Sequence, residues 1–124
     1  MEQRPLLSID MRWNRIRIHK KTLHMIGDPD YIQLLVNPDK KSVAIRAGSS
    51  RDHLSLRMRW KEIARTNCCE LHSKVLLSEL KKVCTGLDIS QTYRIAGSLV
   101  PSVGVVCFCM DDAQPIASFE MEEE

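Results

Sequence analysis

The chain has 124 residues, a formal net charge of +2, and 44% hydrophobic and 27% charged residues. This size fits one domain that buries roughly two thirds of its unfolded surface, and no segment approaches the ~20 apolar residues that a membrane-spanning helix needs. Five cysteines, an odd number without framework spacing, argue against a disulfide scaffold and for free thiols in a reducing compartment such as the cytoplasm.

In chain order, the first eleven residues lack periodicity and read as an arm or edge segment; Glu2, Asp10 and the short apolar run argue against a signal peptide. From Trp13 to His19, Ile16 and Ile18 alternate with Arg15 and Arg17, the period-two pattern of a half-buried strand with one cationic face. Lys20 to Ile26 supports two helical turns closed by Gly27, and Asp28-Pro29-Asp30 stops continuation. Tyr31–Val36 and Ser42–Arg46 flank Asn37-Pro38-Asp39-Lys40 and predict a β-hairpin. After a Gly48–Asp52 loop, Leu54, Leu56, Met58 and Trp60 alternate with Ser55, Arg57 and Arg59, predicting another strand with outward arginines.

Lys61–Thr66 can form one or two helical turns. Ser73 is the expected N-cap of a longer helix running to Cys84, with Leu76, Leu77, Leu80, Val83 and Cys84 along one stripe. Thr92–Ser98 and Val103–Met110 read as a second hairpin with a centrally buried final strand. The segment 111–124 is an acidic tail, expected to be loosely held beyond Pro115. Four of the sixteen acids fall in the last five residues, and without them the rest of the chain carries +6.

The second half repeats the plan of the first. Ile18-His19-Lys20-Lys21-Thr22-Leu23 returns fifty-three positions later as Leu71-His72-Ser73-Lys74-Val75-Leu76, and each run leads into a helix, a Tyr-led strand, a Pro-containing turn and a closing strand. Such fixed order is what a duplicated unit leaves behind. The expected fold is α+β: one domain over 1–124, with β-α-β-β copies at approximately 13–47 and 68–110. The copies pack about a pseudo-twofold axis in a mainly antiparallel sheet system, with one longer helix over 73–84.

The run Arg15-Ile16-Arg17-Ile18-His19-Lys20-Lys21-Thr22-Leu23, then Met25-Ile26-Gly27, Tyr31–Val36 and Ser42–Arg46 resembles the swapped-hairpin domain of the AbrB and MraZ transition-state regulators, and the second copy resembles it more weakly. The chain departs from that pattern at His19, where the family has proline, and at Asp28–Tyr31, where a Gly-Asp pair is usual. The resemblance implies DNA contacts from basic residues in and just after the first strand: Arg15, Arg17, Lys20 and Lys21, with Lys74 as the counterpart in the second copy. A tandem chain would then imitate the family's interlocked dimer within one molecule.

Arg12, Arg15, Arg17, Lys20 and Lys21 place five cations in ten residues with no acid among them. With Arg57, Arg59 and Arg46 they could form one cationic sheet face that neutralises phosphates. The bland alternative is a solvated strand face, and an acidic protein surface would use the same residues. Cys68, Cys69, His72, Cys107 and Cys109 lack metal-ligand spacing, and Cys107 and Cys109 read as small core hydrophobes. His19 and His72, at matching strand-to-helix corners, suggest a shared capping task. Trp13 and Trp60 read as core-rim residues that would otherwise stack bases. No catalytic pattern is recognisable and no cofactor or metal is expected. The function expected is therefore non-enzymatic nucleic-acid (DNA) binding in regulation or accessory handling, by a monomer or homodimer. The alternative is a protein-binding inhibitor or adaptor of phage or mobile-element type that blocks a host nuclease or defence complex.

Overall fold

A computed structural model of the chain describes residues 4–117. Among these residues, ten strands and three helices form an α+β, mainly antiparallel fold of two five-stranded sheets. Sheet A contains β1 (Leu6–Asp10), β2 (Arg15–His19), β6 (Cys68–His72), β7 (Thr92–Ala96) and β10 (Gln114–Ile116), in the order β10-β7-β1-β2-β6. Sheet B contains β3 (Tyr31–Asn37), β4 (Ser42–Ala47), β5 (Leu56–Arg57), β8 (Ser98–Val100) and β9 (Val105–Cys109), in the order β5-β3-β4-β9-β8.

Alternation of side chains along the strands gives each sheet one apolar face. From sheet A, Leu7, Ile9, Ile16, Ile18 and Ile95 are buried, and from sheet B Ile32, Val43, Ile45, Val106 and Phe108, all within one core cluster. The helices add their own stripes: Leu23 from α1 (Lys20–Met25), Ile63 from α2 (Trp60–Thr66), and Leu77 and Leu80 from α3 (Lys74–Val83). Ser73 caps α3 as its sequence predicts, its Oγ accepting the Leu76 N–H at 3.1 Å. Gly27 follows α1 at φ +89°, where a residue without Cβ is unstrained.

The two β-α-β-β runs meet strand against equivalent strand. β2 pairs antiparallel with β6, and β4 pairs antiparallel with β9, which is the relation a local twofold imposes on matching strands. The second run nevertheless divides its strands between the sheets. β7 belongs to sheet A, while the chain crosses at Gly97 to make β8 in sheet B. A Cβ at Gly97 would strike the Cys107 carbonyl and lie 2.6 Å from the Phe108 ring, so only glycine permits this passage. The predicted hairpin over Thr92–Met110 is therefore confined to β8 and β9.

Two more expectations are corrected, and the acidic tail is described only in its first part. The N-terminal segment is not an arm or an edge: β1 lies between β2 and β7, and Leu7 and Ile9 are core residues. The strand expected over 54–60 shrinks to Leu56–Arg57, because Leu54 takes a left-handed conformation (φ +67°) before it and Trp60 opens α2 after it. In the acidic tail, Met110–Asp112 form a 3-10 turn and β10 pairs with β7, so the chain is held through Ile116. The glutamates at 120 and 122–124 lie outside the described residues. Among the described residues, no helix is long and apolar enough to cross a membrane.

Candidate nucleic-acid interface

The predicted cations occupy three places. Arg15 and Arg17 point outward from sheet A beside acids, because the antiparallel register sets Arg15 opposite Asp10 and Arg17 opposite Glu70. Arg15 Nη2 donates to Asp10 Oδ2 at 2.8 Å and approaches Glu70 at 3.8 Å; Arg17 Nη2 lies 3.5 Å from the same Glu70. Asp10 is only 4% exposed, and it also accepts the backbone N–H groups of Arg12 (3.1 Å) and Trp13 (3.3 Å). This carboxylate closes the β1–β2 turn and holds an arginine at once, so this part of the cationic face is structural. Behind it, Ser8 Oγ sits 3.4 Å from His19 Nε2, both buried.

Arg12 occupies the exposed β1–β2 turn, its guanidinium 5.2 Å from the Trp13 ring centroid. Trp13 is 59% exposed and so is not the core-rim residue expected. Arg46 lies on the outer face of sheet B and donates to Gln33 Oε1 at 2.9 Å. The single cationic sheet face expected from the sequence does not form, because Arg57 and Arg46 belong to the other sheet.

The third place is a corner built by α1, α2 and β5. The Lys20 N–H donates to the Asn67 carbonyl just beyond α2 (2.9 Å), and the His24 ring stacks on Trp60 with centroids 6.3 Å apart and planes at 26°. The indole N–H of Trp60 donates to the Pro29 carbonyl at 2.9 Å, fixing the ring from its other edge. Beside it, β5 sets Arg57 directly opposite Tyr31 of β3. The result is a hollow of about 930 Å³ lined by Tyr31, Arg57, Arg59, Trp60, Lys61 and one acid, Asp30. Lys20 and Lys21 stand half-buried on the adjoining α1. Among the described residues, none of Lys20, Lys21, Arg57, Arg59 or Lys61 is in an ion pair. Lys74, the second-copy counterpart of Lys21, is exposed at the start of α3 and does not line this hollow.

Of the expected set, the structure brings Arg57 and Arg59 together at the hollow; Lys20 and Lys21 lie on the adjoining α1 without lining it, and Arg12, Arg15 and Arg17 lie elsewhere. Sequence reasoning missed Tyr31, Lys61 and His24. The alternation Arg57-Met58-Arg59-Trp60-Lys61, in which cations interleave with an aromatic, was the signal that could have found the corner. Glu70 and Asp10 had no such signal, since their roles depend on register.

The remaining candidates separate as well. His19 starts α1 with no side-chain cap bond, and His72 is exposed at the end of β6, so the shared capping role is corrected. Cys68, Cys69 and His72 lie on β6, while Cys107 and Cys109 are half-buried on the outward face of β9 in the other sheet, not in the core. Among the described residues, no three His, Cys, Asp or Glu side chains gather as a metal site requires. Burial, followed by the neighbouring Cys68, Glu62 and Glu70, pushes the Cys69 thiol up to about 11, so it is a poor nucleophile.

No family model matches the chain, and neither a curated protein nor a solved structure matches it.

Proposed function

We propose that this protein is a non-enzymatic nucleic-acid-binding protein, regulatory or accessory in role, that engages phosphates through the α1–α2–β5 corner. One observation carries the reading: Arg57, Arg59 and Lys61, exposed and in no ion pair among the described residues, gather around a hollow that also presents two aromatic rings. Among the described residues, arginine and lysine there have no ion pair to break before they meet a phosphate, so counterion release is available as driving force. The resemblance of Arg15–Arg46 to the AbrB and MraZ domain supports the same reading, since Lys20 and Lys21 take the positions just after the first strand. Five unbridged thiols suit a cytoplasmic setting.

Fluorescence anisotropy with labelled DNA across a salt series tests this. Affinity falls steeply with salt, and Arg57→Ala/Arg59→Ala reduces the duplex slope by about 1.8, near 0.9 per lost phosphate contact. Salt-independent, weak binding by the unsubstituted protein would refute it.

One observation favours a second reading, the inhibitor or adaptor. The outer face of sheet B leaves Leu35 and Val100 exposed and Ala44 and Val105 half-buried, and extended apolar sheet faces of this kind serve protein partners. Substituting Leu35 and Val100 with serine would then abolish capture of the host protein without altering DNA binding.

A further inference from the structure

We infer that the hollow beside Trp60 is a site for single-stranded nucleic acid, in which an unpaired base stacks on the aromatic pair and its flanking phosphates meet Arg57, Arg59 and Lys61. This deepens the proposed function and rests on it. A duplex keeps its bases inside the stack and offers only phosphates and groove edges to such a corner; rings are useful there only if a base is unpaired. The corner supplies both halves of what a single strand requires.

Three observations lead to this ligand. Trp60 is held on two sides, by the Pro29 carbonyl at its N–H and by His24 stacked at 6.3 Å, so the ring is pre-oriented and little freedom is lost on binding. Tyr31 is half-buried and stands cross-strand to Arg57, which puts a phenol and a guanidinium, two groups that stack on bases, side by side. The hollow, at about 930 Å³, has room for a nucleotide unit, and its three cations against the single Asp30 give it a net positive wall.

The chain has two tryptophans, so Trp13→Phe leaves Trp60 as its only indole fluorophore. In that background, a twenty-nucleotide thymidine strand is titrated at ~0.1 M salt beside a twenty-base-pair duplex and thymidine 5′-monophosphate. The single strand quenches Trp60 and binds about tenfold tighter than the duplex, while the mononucleotide binds far more weakly because it carries only one phosphate. Trp60→Phe and Trp60→Leu both lose the bond to Pro29 and differ in the aromatic face. Phe stays within about threefold of the parent and Leu loses about tenfold, with thermal unfolding showing both folded. Duplex affinity equal to that of the strand, or Phe and Leu variants weakened alike, would overturn the stacking site even where the corner still binds phosphates. Absence of binding to all three probes would overturn the proposed function itself.

Discussion

The outer face of sheet A and the α1–α2–β5 corner both carry arginines, and they differ in what stands beside them. On sheet A the antiparallel register brings Asp10 and Glu70 against Arg15 and Arg17, so each guanidinium helps hold the strands β1, β2 and β6 together. At the corner, Arg57, Arg59 and Lys61 line a hollow beside two aromatic rings and make no ion pair among the described residues. Charge density along the chain therefore misleads as a guide to a binding surface. Within the densest cationic run Arg15 and Arg17 serve as internal cement, whereas the sparser set at the corner faces solvent.

Four experiments break or sharpen this contrast. The largest effect is expected from Asp10→Ala, which removes a buried acceptor of three hydrogen bonds and strips Arg15 of its closest partner. Urea denaturation should show a loss of about 3 kcal/mol, whereas Arg57→Ala stays within about 0.5 kcal/mol of the parent. Equal losses at both positions would erase the distinction.

Next comes pH, through the strand that carries Glu70. The folded protein keeps the Cys69 proton up to about 11, whereas the unfolded chain releases it near the ordinary 9.0. The contribution is thus fully present below pH 9 and is lost as pH rises through 11, about 2.7 kcal/mol at most. Cys69→Ala should flatten that part of the stability profile, and an unchanged slope would contradict the assignment.

In binding, Arg57→Ala/Arg59→Ala is expected to weaken single-stranded DNA affinity about tenfold, near 1.4 kcal/mol, against less than about twofold for Arg15→Ala/Arg17→Ala once stability is matched. A reversal would return the interface to the strand face. The smallest effect belongs to Glu70→Gln, which releases two long ion pairs at a partly exposed site: about 0.5 kcal/mol of stability and at most a two- to threefold change in affinity.

Much of the fold was legible because it is written in short-range patterns. The alternation over Arg15–Ile18, the Asn37–Lys40 turn, the Gly27 stop and the Ser73 cap each express a local steric or hydrogen-bonding rule, and each is found in place. The place of β1 was not legible, because its pairing with β7 joins residues far apart in the chain, from Leu6 with Ala96 to Asp10 with Thr92, and leaves no local trace. Leu54–Trp60 misled in another way: alternation marks a strand only where a partner remains available, and β3 offers β5 just two pairs. The site was half visible. Composition showed which residues are cationic, but register and sheet membership determine which of them are tied to acids.

The central position of β1 also bears on how the protein is made. Its hairpin with β2 can close soon after leaving the ribosome, yet its other edge stays open until Ile95 and its neighbours emerge. At ordinary elongation rates that interval is about 4 to 15 s. The nascent ribbon keeps both outer edges open until β6 covers β2, and from then until β7 arrives β1 still shows a row of unsatisfied amides, a template for pairing with its neighbours on the same message. Early delivery of the β7 sequence, as in a circularly permuted gene that places it ahead of β1, would shorten that window.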